Sequence, residues 1–234
     1  MTEQLATGLA YFVVFLLSTT LHEAAHAWAA LRGGDPTAYH GGQVSLDPMP
    51  HIRREPFGMV ILPLLTSVTM GWPFGYASAP YDTRWAARYP RRAALMALAG
   101  PAANLLLVVL ALAALRVGAI AEIFVPPERA TFGMLAMTDG GAAWDAAGRM
   151  LSIVFSLNLL LFVFNLLPVP PLDGSAAITL LMSRGVTARY QQLIWGTPAL
   201  GFLGIFVAWK LFPSIFGPVF TTAISLIYPG VAYG

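Results

Sequence analysis

The stretch Thr19–Leu31, TTLHEAAHAWAAL, lies at the end of an apolar run from Leu5 to Leu31. At about 1.5 Å per residue, such a run crosses a ~30 Å hydrocarbon layer with some tilt. Its one polar cluster of note is His22, Glu23 and His26. Residues four apart on a helix project from nearly the same face, so the two imidazoles can reach one zinc ion. Glu23 stands one step round, where a carboxylate reaches the water on a metal rather than the metal itself. Zinc lowers the pKa of that water to about 7, and the glutamate can take its proton as it attacks a carbonyl. The competing reading is a helix carrying two unrelated histidines. In lipid it weakens, because a carboxylate near the bilayer centre costs roughly 2.5–3.5 kcal/mol. A structural zinc site returns about 10–16 kcal/mol in peptide systems.

Composition sets the context for that helix. Of 234 residues, 57% are hydrophobic and 10% charged, with a mean hydropathy of +0.69. A water-soluble domain of this length needs far more surface charge, so the chain reads as an all-α multi-pass membrane protein. The net charge of +2 does not point to nucleic acid. Twelve arginines and one lysine supply the basic groups, and most flank apolar runs, where they set topology. With no cysteine, disulfide and thiol chemistry are excluded. The start, MTEQLATGLA, lacks a basic n-region, so a cleavable signal peptide is not expected.

Further runs follow the first. RGGDP closes it, and YHGGQVSLDPMPHIRREP reads as a strand or small hairpin from the alternation Gln43-Val44-Ser45-Leu46. Phe57–Trp72 is apolar but short and holds Pro63, which suits a re-entrant segment. A helix is expected from Arg92 to about Ala121, then a polar loop to Ala147 carrying at most one short helix. Another span runs from about Gly148 to Leu167, and a short helix from Ser175 to Met182. Two apolar stretches close the chain, Leu193–Phe212 and Ile215–Tyr228. The expected architecture is five to six transmembrane or re-entrant helices with a small membrane-associated β-hairpin. All of 1–234 forms one integral-membrane domain, with its motifs within about 5–183 and C-terminal helices over about 187–231.

A catalytic zinc site needs a third protein ligand and an open position. His40 and His51 lie in a Gly/Pro-rich loop, where solvated or hairpin-bonding roles are the commoner ones. Asp173, in NLLPVPPLDG, follows an apolar helix at a break made by Pro168, Pro170 and Pro171. Spacing alone leaves two readings open: a ligand, or an N-cap for the helix that begins at Gly174 or Ser175. Irregular backbone at membrane depth should be buried in protein or line a wet cavity, which an active site also requires.

These two motifs resemble those of the site-2 protease family, the intramembrane zinc metalloproteases. The carrying residues are His22-Glu23-x-x-His26 and Asn165-x-x-Pro168-x-x-x-Leu172-Asp173-Gly174. The stretch GGQVSLDPMPHI is similar to the hairpin after the family's first motif helix, and LAGPAANLLL to its Gly-Pro-x-x-Asn helix. The resemblance implies that His22, His26 and Asp173 hold one Zn2+ per chain, with Glu23 as general base. It places Asn165 and Asn104 close by, where an amide could stabilise an oxyanion or hold substrate. Helix packing beside Gly100 is the alternative for Asn104. Two positions depart from the family pattern: Arg53 follows His51-Ile52 where the family usually has Asp, and Ser78 stands where it often has Lys. No loop has room for the PDZ or CBS domains of some relatives, so a compact form is expected.

The implied activity is hydrolysis of peptide bonds in or near the transmembrane segments of single-span membrane proteins, with an edge strand near Gly42–Leu46 holding the unwound substrate. Arg84, Arg88, Arg91 and Arg92 in one loop, and Arg184 and Arg189 in another, put those loops in the cytoplasm. The active site then faces the cytoplasmic side, in a bacterial inner membrane. A prenyl-protein type of membrane zinc protease leaves NLLPVPPLDG unexplained. A transporter with a midplane metal site should show paired broken-helix repeats, which the sequence lacks. An inactive protease-like binding protein has no need of Glu23.

Overall fold

A computed structural model of the protein describes residues 2–231. Ten α-helices appear in chain order: α1 Thr2–Gly33, α2 Thr37–His40, α3 Pro48–Arg54, α4 Leu62–Met70, α5 Thr83–Arg88, α6 Pro90–Ile120, α7 Ala142–Asn165, α8 Asp173–Ala177, α9 Arg184–Gly196 and α10 Ala199–Ser225. A π-helical turn, Phe57–Ile61, runs into α4, and a 3-10 turn, Ile178–Leu181, extends α8. By length and composition, four helices can cross a membrane: α1 from Leu5, α6, α7 and α10. The apolar stretch Phe57–Met70 is shorter. At 1.5 Å per residue it reaches about 21 Å, less than the hydrocarbon thickness.

Helix α6 packs against both α1 and α7, and α10 packs on α7. Small residues permit the closest approaches. A Cβ on Gly8 would overlap the Ser67 carbonyl, so α1 and α4 touch backbone to backbone. Tyr11, Val14 and Phe15 of α1 bury against Ile153 and Leu157 of α7. A larger core joins Val108 and Leu115 of α6, Phe155 and Leu159 of α7, and Phe216 and Ile224 of α10. Phe132, from the connection between α6 and α7, stacks on Phe216 and Phe220 and closes that core at one end.

The expected hairpin is absent. Among the described residues the only β pairing is two isolated bridges, Val125 with Met137 and Thr131 with Met134, far from the predicted strand. Local bonds take the backbone groups that a ladder would use. The Gly42 and Gln43 amides donate to the carbonyls of Tyr39 and Ala38, and Asp47 caps α3 by accepting from the Met49 amide. His51 donates through Nε2 to the Ser45 carbonyl, which pins the segment as a loop.

Other expectations shift by element. The two C-terminal apolar stretches join in one helix, α10, with Pro213 and Pro218 inside it, while Leu193–Gly196 belongs to α9. A proline removes one intrahelical bond, and an apolar setting with packed neighbours tolerates that loss. Helix α7 starts at Ala142, several residues before the expected Gly148, and no helix lies between α6 and α7. Ser183 caps α9 by accepting from the Val186 amide, so the helix starts a few residues before the expected 187 and takes in Arg184, read as part of a loop. Among the described residues four helices are long enough to cross a membrane, and Phe57–Met70 adds a shorter apolar segment to them.

Candidate metal centre

Three side chains from two distant parts of the chain meet at one point. His22 and His26 project from α1, and Asp173 opens α8 just after the proline-broken segment. His22 Nε2 lies 2.9 Å from His26 Nε2 and 3.1 Å from Asp173 Oδ2; His26 Nε2 lies 3.3 Å from the same oxygen. Among the described residues these three form the one His/Cys/Asp/Glu cluster close enough to hold a metal ion. His40 and His51 are outside it. His40 is exposed at the end of α2, and His51 is buried on the Ser45 carbonyl.

The protonation pattern suits a cation. His26 Nδ1 lies 2.8 Å from the Met96 carbonyl, and His22 Nδ1 lies 2.6 Å from Asn104 Oδ1. Both partners can accept from an Nδ1–H, and with the proton there each ring aims its Nε2 lone pair at the centre. Two facing lone pairs beside a carboxylate repel unless something positive sits among them. Mixed imidazole and carboxylate donors are a zinc set.

Close packing of α6 produces this convergence. A Cβ on Gly100 would overlap the Nε2 atoms of both histidines, so only glycine lets α6 close over the rings. Pro101 follows at once and leaves the Ala97 carbonyl without an intrahelical donor. Asp173 does not act as a cap, since α8 has no side-chain cap bond. Its loop is held from behind: Leu172 packs with Leu167 and Ala208, and Gly204 of α10 sits against the Pro170 carbonyl with no space for a side chain.

Glu23 is 6% exposed, and its Oε2 is buried without a hydrogen-bond partner. An unpartnered buried carboxylate oxygen is costly unless a water or reacting group completes it. Glu23 lines a cavity of about 500 Å³ together with His22, Asp173, Asn165, Tyr76 and Ser78. Asn165, the last residue of α7, thus stands on the cavity wall. Asn104 does not: it is fully buried, with Oδ1 on His22 and Nδ2 donating to Asn158 Oδ1 at 2.8 Å. Residues 75–78, in a stretch with neither helix nor strand, complete the lining of that cavity. Thr66 Oγ1 accepts from the Phe74 amide, the Tyr76 amide donates to the Gly58 carbonyl, and Ser78 donates to Glu55.

Asn158 and Ser18 join the site without having been singled out from sequence. The signal was periodicity. Asn158 precedes Asn165 by two helical turns, and Ser18 precedes His22 by one, so each shares a face with a candidate residue.

The model of peptidase family M50 matches residues 10–204. The chain is 32% identical to "Putative zinc metalloprotease YwhC" of Bacillus subtilis, over 89% of this chain and 94% of that protein. It is also similar to two mycobacterial proteins named "Putative zinc metalloprotease Rip2". Identity is 32% for that of Mycolicibacterium smegmatis, over 70% of this chain and 54% of the relative. For that of Mycobacterium tuberculosis it is 35%, over 73% and 59%. The chain thus spans little more than half the length of the mycobacterial relatives. No solved structure matches it. On the family match, with a metal-competent His-His-Asp cluster in a bundle of long apolar helices, the chain belongs to peptidase family M50, the site-2 protease family of membrane zinc metalloproteases.

Proposed function

We propose that residues 1–234 act as one intramembrane endopeptidase, with His22, His26 and Asp173 as the ligands of a single zinc ion and Glu23 as general base. Its substrates are single-span membrane proteins, cut in or near their transmembrane segments. The observation that carries the reading is the unpartnered Oε2 of Glu23 on the wall of the cavity that His22 and Asp173 also line.

Zinc, when bound there, supplies Lewis-acid polarisation of the scissile carbonyl and acidifies the attacking water. The protein's own groups do the rest. Glu23 takes the proton of the water as it attacks, then returns it to the leaving amine. Burial keeps bulk water from competing for that carboxylate. Asn165 stands where its amide can donate to the oxygen that gains charge. A transmembrane substrate must unwind first, because helical carbonyls are already hydrogen-bonded. The irregular segment Gly75–Ser78 lines the cavity where unwound chain would lie.

The basic loops around Arg84–Arg92 and Arg184–Arg189 favour the cytoplasmic side. The first stretch spans the start of α6 and the second follows closely on Asp173 in sequence, so the active site opens toward the cytoplasmic face of a bacterial inner membrane. Phe57–Met70 enters and leaves from that face.

The test compares cleavage of a panel of single-span membrane proteins by wild type and Glu23→Gln, with zinc content measured for both. Loss of cleavage with zinc retained is expected, by about 10²-fold or more. Equal cleavage by the two proteins removes Glu23 from the mechanism.

A further inference from the structure

Both imidazoles must hold their proton on Nδ1 for their Nε2 lone pairs to face the centre. For His26 a backbone carbonyl, that of Met96, guarantees this, because a carbonyl can only accept. His22 has no such guarantee. Its Nδ1 meets a side-chain amide, Asn104, and an amide turned by 180° presents NH2 where it had presented oxygen. The NH2 would then donate to Nδ1, move the proton of the ring to Nε2 and point it at His26. Something else has to fix the direction of Asn104.

We propose that Asn158 is a positioning residue that sets, through Asn104, which nitrogen of His22 carries the proton; this rests on the reading of His22 as a zinc ligand. The direction originates at a backbone carbonyl, as it does for His26. Asn158 Nδ2 lies 2.8 Å from the Val154 carbonyl and 2.9 Å from Ser18 Oγ. The carbonyl accepts only, so the Asn158 atom facing it must be the NH2. Its Oδ1 therefore faces α6 and accepts from Asn104 Nδ2 at 2.8 Å. Asn104 Oδ1 is then left for the Nδ1 proton of His22. The two asparagines and Ser18 are buried, the asparagines completely, so no surface water offers either amide a substitute partner. One turn of α7 thus dictates the tautomer of a ring on α1 through a residue of α6.

The test uses chelator resistance and the cobalt(II) electronic spectrum of the purified full chain, neither of which requires a substrate. Asn158→Leu removes the directing amide and should weaken metal retention by about 10–100-fold, the usual cost of losing a partner behind a ligating histidine. Asn104→Asp discriminates. A carboxylate has no donor end, so it presents an acceptor to His22 whichever way it lies. Alone, it sets an oxygen against Asn158 Oδ1 and should lower retention. Combined with Asn158→Leu, it should raise retention above either single variant and restore the wild-type cobalt spectrum. A packing role for Asn158 gives no such reversal, and a double variant no better than Asn158→Leu overturns the proposal. Asn158→Ala repeats the comparison. If neither Asn158 variant folds, with or without Asn104→Asp, the role of Asn158 is structural and the proposal falls. His22→Ala separates the two ideas: full metal retention in that variant defeats the ligand reading itself. Wild-type retention in Asn158→Leu, with loss in His22→Ala, defeats only the relay.

Discussion

At the residue scale, the site depends as much on an absent side chain as on the polar ones. Gly100 touches the Nε2 atoms of His22 and His26, where a methyl group has no room. Gly100→Ala should therefore force α6 away from the rings or turn them out of line. Zinc affinity should fall by at least about tenfold, as when ligands are displaced from their supporting shell. Titration against a competing chelator measures this, and unchanged affinity would mean that the helices have slack the packing does not show. Asn165 predicts the opposite pattern. Asn165→Ala should keep its zinc and lose about 10²-fold in kcat/KM, the usual cost of an oxyanion donor. Zinc loss in that variant would give Asn165 a structural role instead. His22, Glu23, His26 and Asp173 could be singled out from sequence because each belongs to a short motif with fixed spacing. Asn158 belongs to no such motif, and its two-turn spacing from Asn165 gains meaning only once the face of α7 that meets α6 is known.

At the element scale, the carboxylate and the imidazoles are held in different ways. The histidines ride on a 32-residue helix, whereas Asp173 follows a proline-rich break and relies on α10 for backing. Gly204→Val should push α10 from Pro170 and loosen Asp173. Overpacking of this kind costs about 1–3 kcal/mol, visible as a lower thermal midpoint, with weaker metal retention alongside. A lower midpoint with unaltered retention would show that the loop is held without α10. The long helices were legible as hydropathic runs, but their junctions were less so. Pro213 reads as a stop between two stretches, yet the packed Phe212 and Phe216 on either side keep α10 continuous. The alternation at Gln43–Leu46 reads as a strand, yet the Asp47 cap and His51 pull it into a loop. In both places local side-chain contacts outweighed the pattern.

At the scale of the whole molecule, the centre ties the start of the chain to its later third. A ligand that binds only the folded form stabilises it, so stripping the metal should lower the thermal midpoint by several degrees, and added zinc should restore it. A midpoint indifferent to chelation would show that helix packing alone sets stability. Sidedness can be tested on the same protein, since it has no cysteine to interfere. A single cysteine at Arg91 should react from the cytoplasmic side only, and one at Glu128 from the other side only. Labelling of both from one side would break the assigned orientation.

The distance in sequence between His26 and Asp173 also dictates an order of events during synthesis. When the first span leaves the ribosome it holds two imidazoles and a carboxylate, but not the third group that completes the cluster. That group follows only after α6 and α7 have been made. A nascent chain can therefore insert its first three long helices before the His-His-Asp cluster is complete. The cluster closes only when Asp173 follows α6 and α7, and its backing by α10 is made later still.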